Sequence, residues 1–149
     1  MTFLRTMMLG ILAFAALTLP SAAQSQNDIY KVALHVDDND AAKMNLTLNN
    51  VQNIIQDFKK SGRKIEIEVV TYGPGLHMFR ADTSPVKTRI EEIALANPNV
   101  TFSACGNTQS NMSKAEKKTI ALISEAKLVP SGVVHLVELQ RKGYAYVKP

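Results

Sequence analysis

Apolar positions between residues 28 and 149 follow two periods in turn, and each change of period marks a change of element. Ile29–Val36 is rich in β-branched and apolar residues and reads as a strand. Asp37-Asp38-Asn39-Asp40 breaks it, with Asp40 placed to cap a helix. Met44, Leu48, Val51, Ile55 and Phe58 then recur every three or four residues, the stripe of an amphipathic helix of about four turns. Ser61-Gly62 ends it with a residue free to adopt the left-handed conformation. Ile65, Ile67, Val69 and Val70 mark a second strand, closed by Thr71-Tyr72-Gly73-Pro74-Gly75.

Ser84 and Pro85 have the chemistry of a helix start, with Val86, Ile90, Ile93 and Ala94 as the inner face. Val100–Ala104 is a third strand running into Cys105-Gly106-Asn107-Thr108. Ser113-Lys114-Ala115-Glu116 has capping-box spacing, which predicts a helix opening there and running through Ile120, Leu122 and Ile123. Leu128-Val129 is a short extended piece. Ser131 is placed to cap a last helix carrying Val133, Val134, Leu136, Val137 and Leu139, and Tyr144–Val147 is the final strand. Strand and helix alternate throughout. That pattern predicts an α/β three-layer sandwich around a mainly parallel five-stranded sheet, flavodoxin-like in plan, because every crossover must return the chain to the same edge.

The first residues follow neither period. Residues 1–23 carry Arg5, an apolar run over 6–19, Pro20 and the small residues Ser21-Ala22-Ala23. They read as a signal peptide cleaved after Ala23, which leaves 24–149 as a single domain in a bacterial periplasm, with no membrane segment in the mature form. The 17 Lys and Arg are interspersed with 13 Asp and Glu, without the concentrated basic face of a nucleic-acid partner.

The chain has one cysteine, so no internal disulfide, Cys-only zinc cluster or CxxC motif can form within it. Ligands of parallel α/β sheets sit beyond the carboxyl ends of the strands, where the loops around 35–40, 71–80 and 105–112 should meet. Cys105 falls at one of those ends. Gly106 beside it allows a tight turn that leaves the sulfur accessible, and a helix start over 107–112 would favour a thiolate. A half-buried, inert packing thiol is the alternative.

His35 and His77 are each placed to pair with Cys105, and each could equally be a satisfied histidine of strand or loop. A zinc set of Cys105, His135 and one further histidine matches no local ligand spacing, and no metal or organic cofactor is expected. Gly73 and Gly75 suit a rigid turn that brings backbone to the sulfur; a third glycine, which a dinucleotide fingerprint needs, is missing. Asn49 and Asn53 share a helix face from which they could bond a neighbouring loop or subunit, whereas Asn45 and Asn50 read as solvated. Met78 and Phe79 lie in an expected surface loop, as a lid, an oligomer contact or hydrophobes tucked inward.

Phe102-Ser103-Ala104-Cys105-Gly106-Asn107-Thr108 resembles the cysteine segment of the DsrE/DsrF-like sulfur-transfer family. Leu48-Asn49-Asn50-Val51, Tyr72–Leu76, Val129–Val134 and Gly143–Val147 extend the resemblance over about 30–148. It implies a DsrEFH-like fold, a homo-oligomer of three or six chains, and a single cysteine, Cys105, that carries sulfur as a persulfide or mixed disulfide without a cofactor. Gly106 and Asn107 would frame the sulfur with backbone and amide donors. Its partners would be a small sulfur compound or a thiol protein. The leader departs from the intracellular relay of the family. Two other readings of the same residues are a non-catalytic oligomeric module binding a small ligand over the Gly-Pro-Gly and cysteine loops, and Cys–His hydrolase or transferase chemistry.

Overall fold

The structure is a computed structural model and describes residues 29–149. The leader read at 1–23 lies outside the described residues. Five strands, β1 (Ile29–Val36), β2 (Lys64–Thr71), β3 (Val100–Cys105), β4 (Ala126–Val129) and β5 (Ala145–Val147), form one parallel sheet in the order β4-β3-β2-β1-β5. Four α-helices join them: α1 (Ala41–Lys60), α2 (Lys87–Ala96), α3 (Gly106–Glu116) and α4 (Gly132–Arg141). The chain steps outward from β1 to β4 and then crosses back to place β5 on the other side of β1, so strand order reverses between β1 and β5. Among the described residues no helix is long and apolar enough to cross a membrane.

The period-2 pattern sorts the two faces. Val32, Leu34 and Val36 of β1, Ile67 and Val69 of β2, and Phe102 and Ala104 of β3 point to one side, where Met44, Leu48 and Val51 of α1 and Ile90 and Ile93 of α2 cover them. The opposite side has a much smaller apolar core of Ala33, Val70, Leu136 and Leu139, with α4 as its main cover. Polar residues fill that interface. Buried Glu68 of β2 lies 2.5 Å both from Ser103 Oγ of β3 and from His135 Nε2 of α4.

The caps of α1 are as read: Asp40 Oδ1 accepts from Ala42 N–H at 2.7 Å, and Gly62 has φ +65°. Elsewhere the local signals misplace boundaries. Lys87 begins α2 and Val86 occupies its cap position, while Ser84 Oγ, ahead of the helix, donates to the Met78 carbonyl at 2.6 Å and accepts from Val86 N–H at 3.4 Å. The chain does not loop across 73–79 but winds into a 3-10 helix, and Met78 and Phe79 point inward, fully buried. Phe79 meets Phe102 edge-on with ring centres 5.8 Å apart.

The largest shift concerns α3, which begins at Gly106 and ends at Glu116, capped by Lys117 in the left-handed region. Ser113-Lys114-Ala115-Glu116 is therefore its last turn and not its first. Buried Arg80 anchors that turn: its guanidinium bonds Asp82 at 2.8 and 2.9 Å and both carboxylate oxygens of Glu116. The Arg80 guanidinium, with help from Lys118, holds both carboxyls below their usual range, Glu116 at about 2. A depressed carboxylate pKa stabilises the fold above the unfolded value and loses that contribution as pH falls through the folded one. Arg80→Met should lower Tm at pH 7 by about 5–10 °C. Thermal melts should show the gap between wild type and variant narrowing on acidification toward pH 2, the Glu116 value.

Candidate functional site

Cys105 is the last residue of β3 and the residue preceding α3, so its side chain stands where a helix presents unbonded N–H groups. It points to the α4 side of the sheet. There the N-terminus of α4 arrives from the other direction, and its first residue, Gly132, sits against the cysteine. A Cβ at Gly132 would fall 3.1 Å from Cys105 Cβ, 3.1 Å from Tyr72 Cβ and 3.2 Å from the Thr71 carbonyl oxygen. Only hydrogen fits that approach without displacing a neighbour. Two helix N-termini thus converge on one sulfur.

Burial pushes the Cys105 thiol up. The Thr108 hydroxyl and the backbone N–H groups of Gly132, Thr108 and Asn107, the last shared with the Pro130 carbonyl at 3.2 Å, outweigh burial and leave the pKa below its ordinary value. Asn107 and Thr108 take the positions whose N–H groups an N-cap side chain normally satisfies, although the larger sulfur lacks the close geometry of a capping bond. The hydroxyl of Thr108 is oriented by its other partner. Gly73, at φ +53°, donates its N–H to Thr108 Oγ1 at 2.9 Å, which leaves the hydroxyl hydrogen free to point at sulfur. Thr108→Val should therefore slow alkylation of Cys105 at pH 7 by about tenfold and move the pH–rate midpoint upward, with Thr108→Ser restoring both.

The sulfur is not accessible in the way the Cys-Gly turn suggests. Cys105 is only 4% exposed, because α4 closes over it through Gly132 and Tyr72 stands beside it. Gly106 does not frame the sulfur; it packs against the Val129 and Pro130 carbonyl oxygens. Asn107 contributes its backbone N–H, and its amide side chain is exposed.

His35 is buried on the same face of the sheet, but its Nδ1 pairs with the Tyr146 hydroxyl at 2.8 Å and its ring stacks on Tyr72 at 4.3 Å. Burial holds its pKa down, so it stands neutral. His77 Nδ1 lies 3.0 Å from Thr83 Oγ1, and His135 is held by Glu68. No histidine among the described residues hydrogen-bonds Cys105, which removes the geometry a Cys–His hydrolase needs. Nor do three or more potential metal-ligating side chains cluster among them.

Asn49 lies on the opposite face of the sheet, with α1. Its Oδ1 accepts from Arg89 of α2 at 2.8 Å, and Asn45 Oδ1 does the same at 2.5 Å. The amides on α1 therefore clamp two helices together, Asn45 included, at a place remote in the fold from the cysteine.

Two cavities flank the site. One of about 420 Å³ opens between the 3-10 helix and α3, lined by Gly73, His77, Thr108, Asn111 and Met112 among others. The other, of about 390 Å³, lies along Val129, Pro130 and Ser131 and the first turns of α4, including Val134, His135 and Glu138. Gly75 acts from underneath. A Cβ there would come 2.6 Å from the Val36 carbonyl carbon and 2.8 Å from Asp37 Cα, so its absence lets the 3-10 helix lie on the end of β1. The sequence alone did not single out Thr108, Tyr72 or Gly132 as site residues. Their only local signals were the third position after the cysteine and a glycine at a helix start.

Comparison with known proteins agrees with this architecture. The model of the DsrE/DsrF-like family matches residues 13–149. A solved structure of a protein of unknown function from Methanobacterium thermoautotrophicum is 32% identical, with 80% of this chain and 99% of that chain covered and a TM-score of 0.66. A search of curated proteins produced no significant match.

Proposed function

Since the chain belongs to the DsrE/DsrF-like family, we propose that it handles sulfane sulfur through Cys105, as a persulfide or mixed-disulfide carrier acting outside the cytoplasm once the leader at 1–23 is removed. The observation that carries this reading is the cradle of one hydroxyl and three N–H groups around a single buried sulfur. Such a cradle stabilises an anion in a place where burial alone would suppress it. A thiolate held this way attacks the outer sulfur of a donor R–S–SH. One S–S bond forms to Cys105, the donor's S–S bond breaks, and the thiolate RS⁻ departs with the bonding pair and takes up the proton. The reverse exchange with an acceptor thiol regenerates Cys105, for which the same cradle makes a good leaving group.

The partners in this reading are a small sulfur compound or a thiol protein, together with further copies of the chain in a trimer or hexamer. Exposed Leu128, Val133, Val134 and Val137 on β4 and α4 support self-association, which light scattering would read. Intact-mass measurement after incubation with an alkyl persulfide should show increments of whole sulfur atoms, mapped to the peptide containing Cys105 and removed by reductant. An unchanged mass, or an adduct elsewhere in the chain, would sink the proposal. The 4% exposure of Cys105 favours one competing reading, a ligand-binding module with an unreactive thiol. That reading predicts alkylation at pH 7 no faster than in the unfolded chain.

A further inference from the structure

Resting on the reading of Cys105 as a sulfur carrier, the surroundings of the site carry a consequence for which donors it takes. No lysine or arginine among the described residues lines either flanking cavity. The first is walled by uncharged residues, Asn39, Asn111, Thr108 and Met112 among them, together with His77. The second is walled by valines, Pro130, Ser131, His135 and Glu138, the one acidic residue among the described residues on either lining. Both imidazoles already have partners, His77 with Thr83 and His135 with Glu68, whose carboxylate offsets any charge on the ring. Lys148 is within electrostatic reach of Tyr72, but its ammonium is paired with Asp37 at 2.6 Å.

Helix N-termini ordinarily attract anions. Here, however, the N–H groups at the start of α3 and α4 are turned on the sulfur itself, whose negative charge uses their field. An incoming anion meets a thiolate and the Glu138 carboxylate, with no lysine or arginine among the described residues lining either cavity to offset them, and like charges brought together repel. We infer that the site selects sulfane donors with an uncharged or cationic body, such as alkyl persulfides, and discriminates against sulfo-anions such as thiosulfate. An alkyl persulfide reacts in its protonated, uncharged form and releases a single thiolate. Thiosulfate would bring two negative charges to the sulfur and release sulfite, itself a dianion, into the same cleft.

Methanethiosulfonate reagents test this directly, since they transfer an alkylthio group to a thiolate, release methanesulfinate and can be chosen to differ only in the charge of the tail. Rates at Cys105 for the ethylammonium and ethylsulfonate reagents, each divided by the rate with 2-mercaptoethanol, should favour the ammonium by about tenfold. Glu138→Lys or Asn111→Lys should return the ratio toward one, and whichever does so names the cavity of entry. A normalised ratio of one or below in the wild type, or no response to either lysine, overturns the inference. A thiol that neither reagent reaches overturns it together with the carrier reading. In parallel, an alkyl persulfide should load Cys105 at least tenfold faster than thiosulfate, and equal loading again overturns the inference. Loading by neither donor defeats the sulfur-carrier proposal by itself, because the charge preference is still decided by the reagent ratio.

Discussion

Cys105→Ser is expected to abolish sulfur loading while leaving the protein folded, with Tm unchanged or raised by a few degrees. The loss of chemistry follows from the atom. A serine hydroxyl stays protonated at neutral pH and forms no S–S bond, so no increment should remain in the intact mass. The stability expectation comes from position. Cys105 occupies the cap of α3, no side chain there makes a close capping bond, and serine is among the best N-cap residues while costing little in volume. Its shorter side chain can accept from the Asn107 or Thr108 N–H, a gain of up to about 1 kcal/mol. A stability gain that accompanies complete loss of loading would identify this cysteine as held for its chemistry at the expense of the helix. Persistent adducts in the variant would contradict the first half, and a Tm lowered by more than a few degrees the second. Mass spectrometry and a thermal melt on the same sample read them together.

Gly75→Ala is expected to have the largest effect on stability, a loss of about 3 kcal/mol or more. The added methyl would overlap the backbone of Val36 and Asp37, and it is backbone that must yield, not the tip of a flexible side chain. Val36 ends an inner strand paired with β2 along its whole length and its carbonyl also accepts from Tyr72 N–H, so it has little freedom to retreat. Relief would have to come from the 3-10 helix, which carries fully buried Leu76, Met78 and Phe79 and the N–H that orients Thr108. The variant should therefore lose thiol reactivity along with stability, read by a denaturant midpoint and an alkylation rate. Unchanged values for both would show that the Gly-Pro-Gly turn can shift without consequence.

Local pattern and tertiary result agree where one residue's neighbours suffice to decide its state. In β1–β3 the period-2 alternation of Val32, Leu34, Val36 and their counterparts follows from burial of a face, and Asp40 and Gly62 act within a turn of their own position. The α3 segment shows the opposite case. Gly106-Asn107-Thr108-Gln109-Ser110-Asn111 is poor in helix formers, and none of the helix's residues is fully buried, so no apolar stripe announces it. Distant ties hold it instead: Asn107 N–H to the Pro130 carbonyl, Gln109 to the Ile120 carbonyl, and Glu116 to Arg80. The capping-box spacing of 113–116 was consequently a false start. On α4, Val133, Val134 and Val137 look as apolar as Leu136 and Leu139, yet only the leucines meet the sheet.

The sequence by itself determined that an alternating α/β chain would bring its single cysteine to the carboxyl end of a strand, because strand period, turn chemistry and residue count are local quantities. Only the tertiary structure decided what surrounds the sulfur. Gly132, Thr108 and Gly73 meet there from three separate segments, while His35, His77 and Asn49 are engaged elsewhere. The reason is physical: a buried thiolate is stabilised by N–H and O–H groups aimed at it through space. Those directions exist only once the helices are packed on the sheet.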